Sequence, residues 1–148
     1  MWLVDSSRFI AWMRRGRNPT RILQPFVLAG QAVTCGIVRV EVLRGAIKPA
    51  VKEELGALFD AMAEVAISHA IWQRATDLAW TLDRRGKILP VSDLLIACCA
   101  LHVGARVVSV DPHFRAIPGL KICQELPDLA FGDGGSPAPI PPHAPERG

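Results

Sequence analysis

Trp2-Leu3-Val4-Asp5-Ser6-Ser7-Arg8-Phe9-Ile10-Ala11-Trp12-Met13-Arg14-Arg15 is the stretch that decides the fold class. Trp2–Asp5 reads as a short buried strand that ends in a carboxylate. Ser6–Arg15 then reads as a helix with Phe9, Ile10 and Met13 on one face. A carboxylate beside a buried run is costly unless something compensates it. The same strand–acid–helix pattern recurs near the other end of the chain. There Arg106–Val110 is a run rich in β-branched residues, Asp111 closes it, and Pro112–Ala116 reads as a helical turn.

The segments between these two stretches alternate in kind. Gly16-Arg17-Asn18-Pro19 is a break, and Pro19 suits the first turn of a second helix running to about Ala29. Gln31–Thr34 is a second strand, with Thr34 placed to cap a helix over Gly36–Ala46. Pro49 opens a further helix whose apolar stripe is Leu55, Leu58, Phe59 and Met62. Glu64–Ile67 reads as a strand. Ser68 caps a long helix in which Ile71, Ala75, Leu78, Ala79 and Leu82 repeat at helical spacing. Arg84-Arg85-Gly86 ends that helix, with basic residues at the negative end of its dipole and glycine beyond. Ser92 or Asp93 caps the helix Asp93–Val103, which is apolar on nearly every side and so belongs at the centre of the fold. Lys121–Cys123 is a weak fifth strand.

Short apolar strands alternating with helices predict an α/β protein with a parallel sheet covered on both faces. Ligands in such folds bind beyond the C-terminal ends of the strands. Asp5 and Asp111 both fall there.

The composition narrows the function. The chain has 148 residues, the size of one domain, and half of them are hydrophobic, which is enough for a substantial core. Residues 1–126 are expected to form that domain. The segment 127–148 holds six of the twelve prolines and four of the twelve glycines, so it is expected to be a flexible tail. No apolar stretch approaches the roughly 20 residues that span a bilayer. No signal-peptide pattern opens the chain, because Asp5 and Arg8 interrupt it. A soluble, cytoplasmic protein with no membrane partner is therefore expected.

Cys35, Cys98, Cys99 and Cys123 form no C-x-x-C pair and are expected to be reduced, mostly buried thiols. The four histidines (His69, His102, His113 and His143) are scattered and read as structural or surface residues. Arg8, Arg14, Arg15, Arg17 and Arg21 crowd the first helices of a chain with net charge +3. Such a patch attracts phosphate backbones, and it is equally an ordinary solvated face. Neither dinucleotide-binding nor P-loop glycine signatures occur.

Four acids carry the chemistry: Asp5, Glu41, Asp93 and Asp111. Asp5, Asp93 and Asp111 each precede a predicted helix, so capping alone could explain any one of them. Glu41, between Val40 and Val42 in mid-helix, has no such explanation; the alternative for it is a lone surface glutamate, since Arg39 and Arg44 give that helix a solvated face. Carboxylates sharing a pocket repel one another and hold protons more tightly. A hard divalent cation relieves that repulsion, and oxygen-only ligands suit magnesium or manganese.

The chain resembles the PIN-domain ribonucleases, specifically the VapC-type toxins of type II toxin–antitoxin systems. The matching segments are Leu3-Val4-Asp5-Ser6-Ser7, Val40-Glu41-Val42-Leu43-Arg44-Gly45, Leu89-Pro90-Val91-Ser92-Asp93-Leu94-Leu95-Ile96-Ala97 and Val108-Ser109-Val110-Asp111-Pro112-His113-Phe114. Their order and spacing agree over about residues 1–123. Ser109 departs from the frequent threonine but keeps the hydroxyl, and the Cys98-Cys99 pair replaces small residues.

The resemblance implies a three-layer α/β/α sandwich around a parallel sheet of about four to five short strands. It implies a metal-dependent endoribonuclease with Asp5, Glu41, Asp93 and Asp111 as catalytic residues. Asp5, Asp93 and Asp111 would hold Mg²⁺ or Mn²⁺, which lowers the pKa of a water and offsets phosphate charge. Ser6 and Ser109 would donate hydrogen bonds in the site, and Arg8, Arg14 and Arg15 would contact RNA. It also implies a homodimer and a small cognate antitoxin. A PIN-like module that binds RNA or protein without cutting is the competing function. A phosphatase using Asp5 as nucleophile is disfavoured, because Ser7 stands where that class resembles Asp-x-Asp.

Overall fold

A computed structural model describes residues 1–128. Five strands form one sheet: β1 Trp2–Val4, β2 Ala32–Thr34, β3 Ala63–Glu64, β4 Arg106–Val108 and β5 Ile122–Cys123. All pairings are parallel, in the order β3-β2-β1-β4-β5. Helices α1 Ser6–Arg14, α2 Pro19–Leu28, α3 Gly36–Arg44, α4 Pro49–Asp60, α5 His69–Arg84 and α6 Val91–Val103 complete a three-layer α/β/α sandwich. Among the described residues no helix is long and apolar enough to cross a membrane.

The strand order reverses direction between β1 and β4. From β1 the chain steps outward to β2 and β3; it then returns to the other side of β1 for β4 and β5. In an open parallel sheet this is where the loops diverge and leave a crevice. Register sets what faces that crevice. Leu3 pairs with Val107 and Val4 with Val108, so Asp5 and Ser109 leave the sheet at the same level.

The core sits on both faces of this sheet. In α6 every residue from Asp93 to Ala100 is buried, which explains its apolar composition all round. In α1 the buried residues are Arg8, Phe9 and Trp12. The expected stripe of Phe9, Ile10 and Met13 is therefore rotated, and Ile10 and Met13 are half-buried. Trp12 meets Phe9 edge-on at 5.9 Å, and Phe9 packs on Phe59 of α4 at 5.4 Å. Cys35, Cys98 and Cys99 are buried free thiols, and Cys123 is half-buried.

Several boundaries differ from the sequence expectation. The third strand is only Ala63–Glu64; Val65 still donates its N–H to the Thr34 carbonyl at 2.8 Å, then the chain turns away. Thr34 ends β2 rather than capping α3, whose N-cap is Cys35 with no side-chain hydrogen bond. β4 stops at Val108, where its ladders to Val4 of β1 and Cys123 of β5 both end. Helix α6 begins two residues earlier than expected. Pro90 is its N-cap and accepts the Leu94 N–H at 3.2 Å, so neither Ser92 nor Asp93 is the cap. The expected tail lies outside the described residues from 129 onward.

Gly104 closes α6 in the left-handed region at φ +66°, with open space where a Cβ would stand. Gly104→Ala therefore meets no clash, only the conformational penalty of that region. Its expected effect is a loss of about 1 kcal/mol, measurable as a shifted urea midpoint with an unchanged m-value.

Candidate metal centre

Asp5 follows β1 and is 2% exposed. As N-cap of α1 it accepts the Ser7 N–H at 3.2 Å on Oδ2. The same oxygen accepts the Ser7 hydroxyl at 2.5 Å and the Ser109 hydroxyl at 2.9 Å. A carboxylate has about four acceptor positions. Oδ2 is thus saturated, whereas Oδ1 has only a long 3.5 Å contact from Ser6. Asp5 caps its helix with one oxygen and keeps the other available.

Ser109 ties the ends of β1 and β4 together. Its hydroxyl donates to Asp5 and accepts the Asp111 N–H at 3.0 Å. Ser6 performs the same service toward α3, donating to Glu41 Oε2 at 2.7 Å. The four predicted acids are therefore brought to one sheet edge: Asp5 and Asp111 through Ser109, Glu41 through Ser6, and Asp93 from the first turn of α6.

Asp93 is 8% exposed and caps nothing. Burial pushes its carboxyl above the ordinary carboxylate range. A hydrogen bond with His113 opposes that shift, and the charges of Asp111 and Asp5 add to it. Asp111 combines two roles, as Asp5 does: its Oδ1 accepts the His113 N–H at 2.9 Å as the cap of the turn Pro112–Ala116.

His113 corrects the sequence reading, which left it among the scattered histidines. Its Nδ1 lies 3.0 Å from Asp93 Oδ2 and 3.1 Å from Asp111 Oδ1. Candidate ligand atoms of Asp93, Asp111 and His113 all lie within 4.8 Å of one another. The available signal was local: an aspartate capping a turn with histidine two residues on. Ser7 was also missed as a partner of Asp5.

Arg8 is placed differently from the expectation. It is 2% exposed, ion-paired with Glu125 and set 5.2 Å from the Trp12 ring, so it faces the interior rather than RNA. Arg14 and Arg15 are exposed. Eight residues along α1 from Ser6, Arg14 lies about 12 Å down the helix from the acids.

The donor set fits a divalent cation. Several carboxylate oxygens and one imidazole converge, one acid is buried with a raised proton affinity, and hydroxyl donors orient the rest. Ser109→Ala would remove one of the three donors to Asp5 Oδ2 and the acceptor for the Asp111 N–H. Its expected effect is a 10- to 100-fold weaker ion affinity, of the size seen when a partner of a ligand is lost. Calorimetric Mn²⁺ titration checks this, and Ser109→Thr, which keeps the hydroxyl, should stay near wild type.

Residues 2–120 match the family model described as PIN domain. Among solved structures, the chain is similar to VapBC2 from Rickettsia felis bound to a DNA fragment from their promoter. That match has TM-score 0.66 and 20% identity, and covers 82% of this chain and 96% of that one. It is similar to DNA-bound VapBC from Salmonella typhimurium, at TM-score 0.64 and 21% identity, covering 82% and 95%. It is also similar to the sarcin-ricin loop cleaving toxin VapC20 of Mycobacterium tuberculosis, at TM-score 0.57 and 14% identity, covering 78% and 94%. No curated protein matches the sequence. At these identities the structural likeness is one of fold.

Proposed function

The chain belongs to the PIN domain family, and we propose that it is a metal-dependent endoribonuclease, the VapC-type toxin of a toxin–antitoxin pair in the cytoplasm. One observation carries this reading. Asp5, Glu41, Asp93 and Asp111 gather at the strand-order reversal, linked by Ser6, Ser109 and His113, with Asp5 Oδ1 left available. A capping role explains Asp5 and Asp111 only in part and explains Asp93 not at all.

Asp5, Asp93 and Asp111 would hold Mg²⁺ or Mn²⁺, which when bound lowers the pKa of a water and offsets phosphate charge. The chain's own residues do the positioning. Ser7 and Ser109 hold the Asp5 carboxylate in one orientation through Oδ2. Ser6 holds Glu41 by Oε2, which leaves Oε1 to accept a proton from an attacking water. Arg14 and Arg15 remain proposed as RNA-backbone contacts; Arg8 does not.

The partners follow the same reading. VapBC-5 from Mycobacterium tuberculosis, whose structure is similar in fold, is a member of the VapBC family of toxin–antitoxin systems. A groove of about 430 Å³ beside Glu41 has Ile37, Val40, Val65 and Ile67 on its walls, with Glu41 and Glu64 as its acids. An antitoxin segment with apolar anchors and a basic residue fits that chemistry. A homodimer is proposed with it.

Purified protein incubated with a mixed RNA pool tests the activity. Cutting with Mg²⁺ or Mn²⁺ that stops in EDTA supports the reading. Tight RNA binding without cutting at any metal concentration would replace it with a binding module.

A further inference from the structure

We propose that His113 supplies a nitrogen ligand to the ion of this centre and thereby makes it prefer manganese over magnesium. The inference rests on the reading of the acidic site as a metal centre and assigns one further ligand to it.

The placement of the imidazole carries the argument. Nδ1 lies 3.0 Å from Asp93 Oδ2 and 3.1 Å from Asp111 Oδ1. Neighbouring ligands of an octahedral ion with bonds of about 2.1 Å stand about 3.0 Å apart. The three residues come from two places in the fold, the first turn of α6 and the turn after β4, so local chain geometry alone does not bring them together. Asp93 accepts from His113 on Oδ2 and has no hydrogen-bond donor on Oδ1 among the described residues. That oxygen keeps its acceptor positions open to an ion. The imidazole is 45% exposed, so it is not held there to fill the core.

Ligation needs the tautomer with its proton on Nε2, which frees the Nδ1 lone pair. Without an ion, Nδ1–H instead donates to the two carboxylates. Magnesium is held by oxygen ligands, whereas imidazole suits transition metals. One nitrogen among carboxylates therefore shifts the balance toward Mn²⁺ without excluding Mg²⁺.

The test adds Mn²⁺ to the metal-free full-length protein and reads the bound ion by pulsed electron paramagnetic resonance. A ¹⁴N coupling typical of directly bound imidazole is expected in the wild type and absent in His113→Ala. Mn²⁺ affinity is expected to fall about 10- to 100-fold in that variant, with a smaller fall for Mg²⁺ measured by competition. His113→Gln retains a donor to the carboxylates and should lose the coupling equally, which separates ligation from hydrogen bonding. Melting temperatures in EDTA verify that both variants fold. Wild type that binds Mn²⁺ without ¹⁴N coupling, or coupling that persists in His113→Ala, overturns the assignment and leaves the metal centre standing. Wild type that binds neither ion overturns both.

Discussion

Asp93→Asn is expected to reduce metal-stimulated RNA cleavage by about 10³-fold or more, since an ion at such a site supplies several kcal/mol to the transition state and each 1.4 kcal/mol is tenfold. The same variant should be more stable than wild type when no metal is present. Asp93 is buried and faces the charges of Asp111 and Asp5, and its carboxyl titrates above the ordinary range. The folded state therefore binds more protons than the unfolded chain between the ordinary carboxylate pKa and the raised value. Stability falls as pH rises through that window and is level above it.

Asparagine removes the charge and keeps an oxygen that can accept from His113. In EDTA, above the window, Asp93→Asn should gain about 1 kcal/mol, or about 4 °C in melting temperature. Saturating Mg²⁺ should reverse the order, because a ligand that binds only the folded wild type raises its stability. Melting curves with and without metal check both halves. A variant that melts below wild type in EDTA would show that Asp93 is structural support, not a site held at a cost.

Trp12→Ala is expected to have the largest effect on folding. The ring is fully buried, stacked edge-on against Phe9 and faced by the Arg8 guanidinium. Removing a buried tryptophan costs about 3–5 kcal/mol, a large part of the 5–15 kcal/mol that holds a typical domain together. Part of the loss is electrostatic. Arg8, paired on one side with Glu125, would lose the ring that faces its other side. Urea unfolding followed by circular dichroism checks the magnitude. A loss below about 1 kcal/mol would mean that α1 repacks around the cavity.

The residues that were legible in advance share a physical reason. Strand and helix periodicity is local, so Trp2–Val4 and Arg106–Val108 were visible as apolar runs, and the acids closing them were placed at strand ends. Asp93 was ambiguous because an aspartate before an apolar helix suits capping as well as catalysis. Pro90 as the cap removes the capping explanation. The sequence extends β3 beyond its two residues because Val65 and Ile67 are apolar, but they are apolar for packing and do not continue the ladder.

The charge of Arg8 predicts a surface position, whereas the structure buries it. Its partner Glu125 is 117 residues away, and no spacing rule reaches that far. The pairing of His113 with Asp93 is hidden for the same reason, since Asp93 lies 20 residues from it on another element.

The sequence by itself determined the α/β class, the chain order of strands and helices, and which carboxylates stand beside buried runs, because burial patterns and strand ends are written in neighbouring residues. Only the tertiary structure decided the order β3-β2-β1-β4-β5, and with it the crevice between the ends of β1 and β4. It also decided which serines hold which acids, that Arg8 points inward, and that His113 joins Asp93 and Asp111. Each of these depends on pairing between distant elements, which hydrophobic burial drives without specifying partners in the local pattern.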